Sequence, residues 1–245
     1  MNVRFILTCF SLSVLYFSLL PLLYSDNNLV PSIYAQQSIV NDYEFHDYLE
    51  QMIGHLDASI INVQSNNSVL AVAHALHPIE EIVDIINNRL IQTNETLTKE
   101  FTNKLNNYVN TVQSDNINKI ITDKIELENL LNDAIAQSIS LEKRNNRDYI
   151  LNVTAELITI ASEEFNEAMY NGQIINLLEY QDGQQFIKRA IMLLEESQAL
   201  LLENEKKYLY KLKEIEKDLD LQSDPSGVDM EVKDMICEIK KGLYC

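Results

Sequence analysis

The chain has 245 residues, 46% of them hydrophobic, with 37 acidic residues against 19 basic ones and a formal net charge of −18. That charge repels nucleic acid and anionic lipid head groups, and it favours cations, basic partners or plain solubility. Five glycines and four prolines leave little to break helices and no room for a glycine-rich phosphate loop, so with Leu, Ile, Glu, Lys, Asn and Gln abundant the chain reads as all-α.

The N-terminus reads as a targeting segment. Arg4 precedes an uncharged, mostly apolar run from Phe5 to Tyr24, and a polar stretch ends at Ile33-Tyr34-Ala35. Cleavage after Ala35 fits a signal peptide over residues 1–35, and an uncleaved anchor spanning residues 5–24 is the alternative. Arg4 and Asp26 cancel, so the mature chain keeps the charge of −18. The expected location is extracytoplasmic, with the membrane reached only through this segment. Sequons at Asn66, Asn94 and Asn152 suit an exported chain, and Cys237 with Cys245 permits a short C-terminal disulfide.

All four histidines fall between Asp42 and Leu90, which reads as two helices joined by a turn at Ser65-Asn66-Asn67. The first, Asp42 to Gln64, points Phe45, Leu49, Met52, Leu56, Ile60 and Val63 inward. The second starts at Ser68, a candidate N-cap, and carries Val69, Val72, Leu76, Ile79, Val83, Ile86 and Leu90 along a narrow seam. His74, His77, Glu81 and Asp84 fall on a second stripe, roughly opposite that seam. His55 and His77 are equidistant from Asn66 and hence level in an antiparallel pair. His55, His74, His77 and Glu80 or Glu81 therefore form a candidate metal site, with imidazole and carboxylate ligands that suit zinc, iron or copper. The competing reading is that His74 and His77 are solvated residues of an outer face. His46 lies on the other flank and is left out. Pro78 predicts a kink over His74 to Pro78.

A polar break at Thr93 to Thr96 precedes a third helix carrying Leu97, Phe101, Leu105, Tyr108 and Val112. Ser114-Asp115 is a candidate cap for a fourth helix, Ile117 to Glu142, and a fifth runs from Asp148 to Tyr170 and stops at Asn171-Gly172. A short helix from Ile174 to Tyr180, a break or bend at Asp182-Gly183, and one long helix from Gln184 to Leu221, roughly 55 Å at the standard rise, follow. Asp224-Pro225-Ser226-Gly227 reads as a turn before a terminal helix, Asp229 to Lys241. The expected fold is an elongated antiparallel helical bundle over residues 36–222, with one long C-terminal helix shared between two bundles in one variant, and a short C-terminal helix over 223–245. A faint internal repeat pairs Val69–Val72 with Ile150–Val153, placing Ala155 and Ile158 where His74 and His77 stand.

No GxSxG, HExxH or Walker pattern occurs, and the adjacent acid pairs Glu80-Glu81, Glu163-Glu164 and Glu195-Glu196 point to different helix faces. Two resemblances add to this. The leader ending Tyr34-Ala35-Gln36-Gln37 on an acidic, Asn- and Ile-rich body resembles exported proteins of ammonia-oxidising archaea. His77-Pro78-Ile79-Glu80 is similar to the HxxE element of imelysin-like proteins, and the hairpin resembles extracytoplasmic helical segments that accompany iron permeases. Leu76 stands where the imelysin pattern has glycine. These likenesses imply His77 and Glu80 as metal contacts in an extracytoplasmic bundle. The expectation is a non-enzymatic exported binding protein holding a divalent transition metal. The rival is a structural or interaction module of the cell envelope that uses its helical faces for a protein partner.

Overall fold

A computed structural model describes residues 40–114, 116–220 and 226–244. The leader, residues 221–225 and Cys245 lie outside the described residues, and with them the expected signal peptide, the first half of the Asp224–Gly227 turn and the disulfide partner of Cys237; Ser226 and Gly227 open the last helix. Cys237 itself is exposed and carries a free thiol.

The helices are α1 (Asp42–Gln64), α2 (Ser68–His77), a π-helical turn (Pro78–Ile82), α3 (Val83–Thr93), α4 (Glu95–Val112), α5 (Ile117–Ser138), α6 (Leu141–Arg144), α7 (Arg147–Ala168), α8 (Leu177–Glu196), α9 (Lys206–Asp220) and α10 (Ser226–Tyr244). The all-α class is therefore what the chain adopts. The abundance of asparagine has a local cause. Asn41, Asn67, Asn94, Asn116, Asn146 and Asn176 each stand before a helix and accept first-turn N–H groups on their side chains. Asn67 caps α2 in place of the expected Ser68, and Asn116 caps α5, with Asp115 of the expected cap outside the described residues.

Two cores form. Phe45, Leu49, Met52, Ile86, Phe101, Tyr108, Leu127 and their neighbours build one from α1 to α5. Leu157, Phe165, Phe186, Leu194, Leu212, Met235 and theirs build the other from α7 to α10. α1 lies between them, packing on α2, α5, α7 and α8. It buries residues on nearly every face, including His46, Asp47, Glu50, Gln51, His55, Ser59 and Asn62. A helix enclosed on all sides must satisfy its polar side chains from its neighbours. Ser59 Oγ donates to the Ala71 carbonyl at 2.8 Å and receives the Tyr108 hydroxyl at 3.0 Å.

Three expectations are corrected. The span read as one long helix is two, α8 and α9, separated by turns over residues 197–205. A helix of roughly 55 Å would overshoot α7, whose 22 residues reach only about 33 Å; closing the second core requires the chain to reverse, and packing overrides the local helix propensity. The expected break at Asp182-Gly183 is absent, and α8 runs straight through it. A Cβ on Gly183 would stand 2.7 Å from the Phe165 ring, so this glycine marks a close approach of α7 and α8. Helix five does stop before Asn171-Gly172, but the stop is a small hairpin, Met169–Tyr170 against Gln173–Ile174. Asn171 and Gly172 both have positive φ, 50° and 73°, as a two-residue hairpin turn requires. The terminal helix buries Val232, Met235 and Ile239 in the second core.

Candidate metal centre

α1 and α8 run antiparallel, and their contacts pair Asn62 with Gln181, His55 with Asp182, and Glu50 with Arg189. α2 lies against both. Where the three meet, Asp182 gathers three imidazoles. His55 Nδ1 and His74 Nδ1 lie 2.8 and 2.9 Å from Asp182 Oδ1, and His77 Nδ1 lies 3.0 Å from Oδ2. The His55 and His77 ring centroids are 5.1 Å apart, those of His74 and His77 5.9 Å. Phe186 meets the His55 ring edge-on at 5.1 Å and walls that side. His55, His74 and Asp182 are closed off from solvent, at 1%, 0% and 0% exposure. Glu81 is the opening side: its half-exposed carboxylate stands 3.7 Å from His55 Nε2 and 3.8 Å from His77 Nδ1.

The electrostatics follow from this enclosure. Burial disfavours the charged form of Asp182, yet the charge of His55 and hydrogen bonds from His55, His74 and His77 outweigh it and hold the carboxyl far below the usual range. Burial likewise works against charge on His77, but its bond to Asp182 and the charges of Asp182, Glu81 and Glu179 raise its pKa. Glu81 is raised, first by burial, with His77 and His55 pulling the other way. Next to them Glu164 is pushed up to about 9 by burial and by a hydrogen bond to Glu179, with the charges of Glu179, Asp182 and Glu81 adding to it.

The expected residues are only partly assembled. His55, His74 and His77 converge, and Glu81 stands at their edge. Glu80 is exposed and outside the cluster. The largest correction concerns the outward stripe: His74 and His77 are buried at 0% and 7% exposure, while Val69 of the supposed seam is 77% exposed. The π-helical turn causes this. The Val83 N–H reaches back five residues to the Pro78 carbonyl, which inserts one extra residue into the helical repeat. Ile86 and Leu90 are buried as the pattern requires; read backward through the turn, the buried face slips by one residue onto Pro78, Ala75, His74 and Ala71. Pro78 thus opens a π-helical turn that changes the phase of the helix.

Asp182 and Gln181 are absent from the sequence-based candidates. Asp182 stands 127 residues from His55 and resembles any other acid beside a glycine. The one available signal was its position next to Gly183 in a stretch that otherwise suits a continuous helix. His46 is separate, with Nδ1 3.1 Å from the Tyr149 hydroxyl and Nε2 3.3 Å from Glu50, which Arg189 clamps.

Residues 140–243 match the family model of the iron permease-associated 4-helix bundle domain. This match covers less than half of the chain. It takes in α7, α8, α9 and α10, the helices of the second core, so the part that resembles an iron permease-associated bundle supplies Asp182 and the hairpin outside it supplies the histidines. No curated protein and no solved structure matches the chain. Among the described residues no helix is long and apolar enough to cross a membrane.

The donors suit a metal ion. One ligand atom from each of His55, His74, His77 and Asp182 lies within 4.8 Å of all the others. The nitrogen–oxygen spacings of 2.8 to 3.0 Å compare with ligand–ligand edges of about 3.0 Å for octahedral and 3.4 Å for tetrahedral sites built on bonds near 2.1 Å. Three neutral imidazoles and one carboxylate are borderline donors, the set preferred by zinc, iron(II) and copper(II).

Proposed function

We propose that this chain is an extracytoplasmic, non-enzymatic binding protein that holds one divalent transition-metal ion between the N-terminal hairpin and the C-terminal helical bundle. The observation that carries this reading is the convergence of His55, His74, His77 and Asp182, buried, with ligand atoms within 4.8 Å of one another. Zinc, iron or copper fits the donors. The likeness of residues 140–243 to an iron permease-associated bundle supports a setting in metal handling, and iron first among the three. Export is supported by the apolar run from Phe5 to Tyr24. Closure of the site on all sides but that of Glu81 suits capture and release better than turnover.

One observation favours a second reading, an envelope interaction module without an ion. Each histidine already reaches an Asp182 oxygen, so the cluster is satisfied as a clasp between helices. Elemental analysis and calorimetric titration of the purified full chain separate the two. We expect one zinc, iron(II) or copper(II) ion per chain, lost in the His74→Ala/His77→Ala variant and in Asp182→Asn. Absence of binding above background for all three metals, or stoichiometry unchanged in both variants, would leave only the clasp.

A further inference from the structure

His74 uses both ring nitrogens: Nδ1 lies 2.9 Å from Asp182 Oδ1, and Nε2 lies 2.9 Å from Gln181 Oε1. Which nitrogen carries the hydrogen is decided two residues further out. The Ala58 carbonyl can only accept, and Asn62 Nδ2 stands 2.9 Å from it, so the Asn62 amide is oriented with its nitrogen toward α1's own backbone. The second hydrogen of the same nitrogen points to Gln181 at 2.8 Å, and only the amide oxygen of Gln181 can receive it. That oxygen is also what His74 Nε2 faces. Nε2 must therefore carry a hydrogen, so in the neutral form that binds a metal ion the Nδ1 lone pair faces an Asp182 oxygen. A contact of 2.9 Å between Nδ1 and a carboxylate oxygen is held by a cation between them, a proton in the empty clasp or the metal ion in the loaded site. His74 and Asn62 are closed off from bulk solvent, at 0% and 1% exposure.

We infer that Asn62 and Gln181 are positioning residues, a relay anchored on the Ala58 carbonyl that fixes His74 as an Nδ1 ligand of the bound ion. This rests on the metal-binding reading above and goes beyond it by assigning the ligating atom and the residues that select it. Gln181 and Asp182 are consecutive on α8, so one turn of helix both holds the far nitrogen of His74 and supplies the co-ligand at its near one. An outer-shell acceptor of this kind sets the tautomer of a ligating imidazole and increases its basicity. The far nitrogen of His55 stands differently: its Nε2 lies 3.7 Å from the Glu81 carboxylate, beyond hydrogen-bond reach.

The test uses the ¹⁵N-labelled full chain with zinc(II) as the probe. Two-bond nitrogen–proton correlation spectra of the loaded protein are expected to show His74 protonated at Nε2 and metal-bound at Nδ1. Gln181→Leu, which removes the acceptor at a half-buried position, should weaken zinc binding about 10- to 100-fold and mix the His74 tautomers. Gln181→Glu, which keeps an acceptor oxygen there, should retain the wild-type pattern, and Asn62→Leu should behave as Gln181→Leu does. Thermal melting of each metal-free variant shows whether the fold survives. Zinc bound through Nε2 of His74, or wild-type affinity and tautomer in Gln181→Leu, overturns the relay alone. No zinc uptake by the wild-type chain overturns the metal-site reading and the relay with it.

Discussion

Asp182 and Glu164 are carboxylates on neighbouring helices with opposite fates. Asp182 is fully buried yet stays ionised because three imidazoles face it. Glu164 meets another carboxylate, Glu179, and keeps its proton up to about pH 9. The consequence for stability has a definite sign. Above the ordinary glutamate value of 4.5 the unfolded chain releases this proton, whereas the folded chain holds it up to about pH 9, so stability declines as the pH rises through that window. Glu164→Gln removes the titrating group. It should raise the melting temperature at pH 8 by about 2–4 °C, as about 1 kcal/mol would for a chain of this size, and leave it nearly unchanged at pH 4. An equal shift at both pH values would show that the carboxyl does not hold its proton in the fold.

At the scale of elements, two contact glycines control how closely α8 approaches its neighbours. A Cβ on Gly54 of α1 would stand 2.8 Å from the Phe186 ring, and one on Gly183 of α8 would stand 2.7 Å from Phe165. Phe186 is the residue that walls His55, so the Gly54 contact also sets one side of the candidate site. Replacing a helical glycine by alanine ordinarily gains up to about 1 kcal/mol. Here the contact is the Phe165 ring, 2% exposed and 2.7 Å away, so an overpacking cost of about 1–3 kcal/mol is expected to dominate. Gly183→Ala should lower the melting temperature by about 3–6 °C, and a melting temperature equal to or above wild type would show that the ring yields.

The elements also show what sequence pattern reading reaches. α1 starts and stops where the hydrophobic repeat and its flanking polar residues place it, because Asn41 and Glu44 form a reciprocal cap and Asn66 takes a positive φ of 59°. Those are local interactions and therefore visible locally. The phase of α2 was not visible, because a one-residue insertion at Pro78 leaves no mark on a helical wheel drawn at a constant repeat. The division of α8 from α9 was hidden for a different reason: residues 197–205 are good helix formers, and only the length of α7 requires the chain to turn there.

For the whole molecule, the candidate site lies where two cores meet. Three of its residues belong to the hairpin, and the fourth belongs to the bundle that resembles an iron permease-associated domain. That arrangement was legible in its hairpin half, where His55 and His77 stand level across the turn. The other half needed the tertiary fold, which brings α8 over the hairpin and places a lone acid within 3.0 Å of three imidazoles. An ion bound there would link the two parts of the chain directly, and at a free concentration 100-fold above Kd it would stabilise the folded state by about 2.7 kcal/mol. The most direct test is anomalous diffraction from crystals of the full chain grown with zinc, recorded on both sides of the zinc edge. One peak per chain is expected, within bonding distance of His74 Nδ1 and Asp182 and bordered by His55 and His77. Peaks confined to exposed surface carboxylates, with the three imidazoles still hydrogen-bonded to Asp182, would contradict it.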